Sequence, residues 1–141
     1  MSQSYEAAIV TLIEADSTVG AIMGDRIYPN LLPDEPEFPA VVYQEISTDS
    51  QEAIDGPADF AFSRLQLSCW AETKAEAVAL AQAICTLLQG YKGDVTVGDD
   101  TVTIRGILLE DRGDLFEPAP AVNERRRYGK RVDFMVSYSE P

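Results

Sequence analysis

Five basic side chains, Arg125, Arg126, Arg127, Lys130 and Arg131, crowd into one short segment of an otherwise acidic chain. Guanidinium groups bind carboxylates through two parallel hydrogen bonds, so such a run is fitted to grip an acidic protein surface. It is equally fitted to guard the approach to an edge strand against unwanted pairing. Residues 1–124 hold 22 of the 24 acids and 6 of the 11 bases, a balance of −16, whereas residues 125–141 hold 5 bases and 2 acids, a balance of +3. A body this acidic repels nucleic acid at long range, which argues against a DNA-binding module. An acidic body with one basic segment suits docking against copies of itself or against an acidic partner.

Other chemistry is sparse. The absence of histidine removes the commonest general base and the commonest metal ligand together. Cys69 and Cys85 are too few for a zinc site, and both fall on predicted inward faces, where a free thiol behaves as a small hydrophobe. There is no GxxxxGK[ST], GxGxxG or GxSxG pattern. The many carboxylates read as a solvated surface, and Asp99-Asp100 as a hairpin tip rather than a cation site. No catalytic residue, cofactor or metal is therefore expected, and a small carboxylate- and metal-dependent enzyme is the weaker alternative. Trp70 lies on the face of its strand opposite the core residues, covered by the first helix or exposed as an interface anchor. Tyr43 and Phe60 pose the same question.

The elements that position these residues centre on Phe60–Gly90. Leu65, Leu67 and Cys69 alternate with Arg64, Gln66, Ser68 and Trp70, the period of a half-buried strand. The period then changes. Ala77, Leu80, Ala81, Ile84, Cys85 and Leu88 form one helical stripe, opened by a Thr73–Glu76 capping box and closed at Gly90.

In chain order, Ser4 caps a first helix with Tyr5, Ala8, Ile9, Leu12 and Ile13 on its apolar stripe, and Ser17 or Thr18 caps a short turn ended by Gly24. Pro33, Pro36 and Pro39 make Leu31–Pro39 an exposed connector. Ala40–Ser47 reads as a strand, Thr48–Asp59 as a polar hairpin arm with a turn at Asp55-Gly56-Pro57, and Val95–Leu109 as a second hairpin. Glu110–Glu124, which contains Leu115 and Phe116, reads as a long loop of the kind that is usually functional, and Arg131–Tyr138 as the closing strand. The expectation is a single α+β domain over residues 1–141. Its mainly antiparallel, mixed sheet of about four to five strands packs against two main helices and carries long hairpin and loop arms.

With 141 residues the chain can bury a core without staples. No apolar run approaches the roughly 20 residues of a membrane span, and the start of the chain does not read as a signal peptide, so a cytosolic product is expected.

The sequence resembles the tail-completion, or tail-terminator, proteins of long-tailed bacteriophages and related gene transfer particles. The resemblance rests on an N-terminal helix followed by TVGAIMGDRIYP, then FPAVVYQEIS, a DGP turn, SRLQLSCWAETKAEAVALAQAICTLLQG and a terminal RRRYGKRVDFMVSY, in that order over most of the chain. It implies a structural virion protein, made in the host cytoplasm, that caps the head-proximal end of the tail tube as a hexameric ring. That ring would stop tube growth and offer a joining surface to a head-side connector or stopper protein. A head-side neck protein is the alternative. DNA would pass through the lumen without specific binding, and six copies at −13 each would carry −78. The dense ERRRYGKR departs from the family pattern and is expected to reach an acidic face of a neighbouring subunit or of the tube protein. The residues expected at interfaces are Arg125, Arg126, Arg127, Lys130 and Arg131, together with Trp70, Asp55, Phe60, Leu115 and Phe116.

Overall fold

Short polar side chains start the three helices found among the described residues. The computed structural model describes residues 4–34, 36–53, 56–117 and 127–139, with the described part of 49–60 and residues 116 and 117 given by backbone alone. In α1 (Tyr5–Ala15) the Ser4 hydroxyl accepts from the Ala7 N–H at 3.2 Å. In α2 (Ser17–Met23) the cap is Asp16 rather than Ser17 or Thr18, its carboxylate accepting from the Val19 N–H at 2.9 Å. Thr73 caps α3 (Lys74–Leu88) by accepting from the Glu76 N–H at 3.2 Å. Each such cap is worth about 1 kcal/mol. Gly90 follows α3 at φ +80°, a conformation that favours glycine.

Six strands form one mixed sheet in the order β1-β2-β3-β6-β5-β4. They are β1 (Ile27–Pro29), β2 (Ala40–Ala53), β3 (Gly56–Ala71), β4 (Gly93–Val97), β5 (Asp100–Glu117) and β6 (Arg127–Ser139). Among the described residues only β1 and β2 run parallel; every other pairing is antiparallel. The extra strand relative to expectation is β1, which at three residues is too short to show a period. Its Pro29 is tolerated because β1 is an edge.

All three helices lie on one face of this sheet. Ile9 and Ile13 of α1, Val19 and Met23 of α2, and Leu80, Ile84 and Leu88 of α3 pack with Leu65, Leu67 and Cys69 of β3 and with Val132, Phe134 and Val136 of β6. Burying side chains of this size gives about 1.5–3 kcal/mol each. Period-two alternation sends Arg64, Gln66, Ser68 and Trp70 of β3, and Gly129, Arg131, Asp133 and Met135 of β6, to the opposite face, which carries no helix among the described residues.

The polar stretch read as a loop is strand as far as Glu117, and the one read as a hairpin arm is a strand pair. β5 runs on through Glu117 after a register shift between Leu109 and Asp111, so Glu110–Glu117 is not a loop. Its charges pair across the ladder, Asp111 with Arg131 and Asp114 with Lys130, and opposite charges side by side suit a strand pair. Likewise β2 and β3 stay paired from Ala40↔Trp70 to Ala53↔Gly56. Asp55 itself lies outside the described residues.

Candidate assembly surface

The strand register puts the β2–β3 and β5–β6 hairpin ends at opposite ends of the sheet. Among the described residues β3 pairs with β6 from Phe60 to Ala71, so the β2–β3 hairpin runs on beyond Phe60↔Ser139. The β5–β6 ladder ends at Glu117↔Arg127, beside Ala71↔Tyr128, at the other end. A polar cluster ties the base of the β2–β3 arm to α1. Tyr5 donates to Glu45 Oε1 at 3.0 Å and its ring stacks on Tyr138 at 4.5 Å between centroids. The buried Ser63 hydroxyl lies 2.9 Å from both the Thr48 hydroxyl and Tyr138 Oη, and Thr48 also donates to Glu45. Burial, more than the Glu45 charge, pushes the Tyr5 phenol well above its ordinary value, so it stays a donor.

The described part of the basic segment is held within the chain. The guanidinium of Arg127 sits over the Phe38 ring, 5.5 Å from its centroid. Lys130 binds Asp114 at 2.9 Å, and Arg131 reaches both Asp111 and Asp133 at 3.2 Å. Arg131 holds the Asp111 carboxyl below the usual carboxylate value, and Lys130, then Lys74, do the same for Asp114. Arg125 and Arg126 lie outside the described residues.

On the helix-free face, Trp70, Gly129 and Leu115 form one row across β3, β6 and β5. Trp70 is therefore not covered by the first helix; it is half-buried against β6. A Cβ placed on Gly129 would stand 2.8 Å from Leu115 Cβ and 2.9 Å from Trp70 Cζ3, so this row closes only over glycine. Phe60 pairs in register with Ser139 and Phe116 with Tyr128; their side chains are outside the description.

Sequence reasoning missed Asp133. Its side chain is only 5% exposed, with Arg64 Nη2 at 2.9 Å and Arg131 Nη1 at 3.2 Å on Oδ2, while Oδ1 has no hydrogen-bond partner among the described residues. The only sequence signal was an acid two places from Arg131 on a strand. Its meaning depends on the β3–β6 register, which brings Arg64 alongside. Gly113 belongs to the same arrangement, since a Cβ there would lie 2.7 Å from Arg131 Nη2.

On the helix side, a groove of about 640 Å³ opens between α3 and the β5–β6 ladder. Val78, Ala81 and Val132 line it together with the polar Gln82 and Thr86, and Arg112 and Lys130 bring two cations to it. Cys85 lines this groove half-buried, whereas Cys69 is fully buried and both thiols are free. Burial pushes both thiols up, Cys69 far beyond its ordinary value. An aromatic disulfide reagent added to native protein is therefore expected to label Cys85 first and Cys69 only on unfolding. Equal labelling rates, followed by mass spectrometry, would contradict the packing of β3 against α3.

Among the described residues no group of three His, Cys, Asp or Glu side chains could hold a metal ion, and no helix is long and apolar enough to cross a membrane. The helix-backed mixed sheet is similar to a chain in the virion of a native gene transfer agent particle, with a TM-score of 0.66 at 17% identity, over 95% of this chain and 93% of that one. That likeness defines a fold found in a virus-like particle. No curated protein sequence matches the chain. The profile of the family described as Tail completion protein gp17 matches residues 7–136, and the chain belongs to that family of bacteriophage tail proteins. It is thus a structural virion protein.

Proposed function

We propose that the protein closes the head-proximal end of the tail tube as a ring of six copies, ends tube polymerisation and presents the surface to which the head-side connector joins. Membership of the tail completion family carries this reading. The register supports it, because one rigid sheet sends the β2–β3 hairpin toward one end and the β5–β6 connection toward the other, so two partners can be held apart. A terminator needs that asymmetry: one side mimics the next tube subunit, and the other lacks the surface that would recruit another. On this reading the partners are further copies of the chain, the tube protein and the connector, and the protein performs no catalysis. The net charge of −13 per chain keeps the lumen from gripping the DNA that passes through it.

Asp55 and Phe60 on the first arm, and Leu115, Phe116 and Arg125–Arg127 at the opposite end, then belong to the contacts. Lys130 and Arg131, held by Asp114, Asp111 and Asp133, set the direction of the β5–β6 end, and Trp70 braces it. Replacing Arg125, Arg126 and Arg127 with serine is expected to weaken ring assembly or docking at physiological salt while leaving the fold intact, with only the small loss of the Arg127–Phe38 contact in the thermal midpoint. Sedimentation that matches the unaltered protein would refute their role.

Electron microscopy of particles from a strain lacking the gene tests the whole reading. Headless tails of excessive, uncontrolled length are expected. Tails of normal length beside detached, filled heads would move the protein to the head side.

A further inference from the structure

The groove between α3 and the β5–β6 ladder and the proline-rich connector between β1 and β2 are complementary. Leu31, on that connector, is 78% exposed, the most exposed large hydrophobic side chain among the described residues. It opens the run LLPDEPE, in which Asp34 and Glu37 are exposed. Pro33 and Pro36 restrict the backbone of this run, so less ordering entropy is lost when it docks. The groove offers the converse surface: Val78, Ala81 and Val132 beside the polar Gln82 and Thr86, and the cations of Arg112 and Lys130. Arg112 is exposed and makes no ion pair among the described residues, while Lys130 already binds Asp114.

The two features belong to different sides of the sheet. The connector joins β1 and β2 at one edge, whereas the groove lies over β6 and β5 toward the other. A surface and its complement at opposite edges give a head-to-tail contact, which repeats from copy to copy and closes into a ring when the rotation allows. We infer that the occupant of the groove is the connector of a second copy of this chain, Leu31 of one copy seating between α3 and β5–β6 of the next, with Asp34 or Glu37 facing Arg112. This names the subunit contact of the ring proposed above and rests on that reading.

The groove supplies its own reporter, since Cys85 lines it. Leu31→Cys, a change at an exposed position, is expected to yield disulfide-linked multimers on mild oxidation at alkaline pH. Addition of Cys85→Ser should abolish them; Cys69 is fully buried and does not compete. Native mass spectrometry of the same samples counts the copies. No linkage in Leu31→Cys while native mass shows a ring overturns this contact and leaves the ring standing. Linkage that survives Cys85→Ser overturns the groove assignment, and a monomer at every concentration without linkage removes both. Arg112→Glu should raise the protein concentration needed for assembly about tenfold, through like-charge repulsion at the contact. An unchanged assembly curve overturns the part given to charge.

Discussion

Phe134→Ala is expected to cost about 3–5 kcal/mol, the range for emptying a large aromatic from a packed interior. Phe134 is fully buried at the centre of the sheet, opposite Leu65 on β3 and Leu109 on β5. It is among the largest side chains wholly removed from solvent, and it stands under the helix layer. A domain of this size holds only about 5–15 kcal/mol in all, so the variant should be marginal at 37 °C. Urea unfolding measures it, as a lower midpoint with little change in slope. The comparison is Leu108→Ala on the helix-free face, where the side chain is 58% exposed and the cost should be about 0.5 kcal/mol or less. Similar losses for both would mean that the helix-free face is covered in the free protein.

Gly129→Ala is the second large effect, and its cause is overpacking rather than a cavity. The new methyl would sit 2.8 Å from Leu115 Cβ, a backbone-tethered atom that moves only with β5, and 2.9 Å from the Trp70 ring. Forcing such a contact costs about 1–3 kcal/mol. Because β3, β6 and β5 are all displaced at this row, the loss should appear in the thermal midpoint and in the docking of the β5–β6 end. Trp70→Ala tests the cause. In that background one of the two clashes is gone, and Gly129→Ala should cost measurably less than in the parent. Strict additivity would show that the ring and the glycine do not meet.

What could be read from the sequence follows the range of the interactions involved. The α3 helix and the inward face of β3 were legible because cap, period and stop agree within one stretch, Thr73 to Gly90. The alternation of Val132, Phe134 and Val136 was legible for the same reason. Continuation of β5 through Glu117 was not, because EDRGDLFE looks like a loop until Lys130 stands opposite Asp114 and Arg131 reaches Asp111 diagonally across the ladder. The cap of α2 fell to Asp16 because its carboxylate reaches Val19 N–H, a competition between adjacent polar residues that spacing alone does not decide. Of the candidate site, Trp70 and Leu115 were singled out separately; their meeting over Gly129 needs the register of three strands. The basic segment stood out by composition, yet Lys130 and Arg131 spend their charge on the chain's own acids, pairings invisible without β5 beside β6.

The central claim concerns position in the particle, and a cryo-electron microscopy reconstruction of the neck of intact particles tests it most directly. The account predicts a ring of six copies of this sheet-and-helix fold seated on the last ring of the tail tube, with one hairpin end toward the tube and the other toward the connector. Finding the fold bound only to the portal side, with nothing between it and the head, would contradict it.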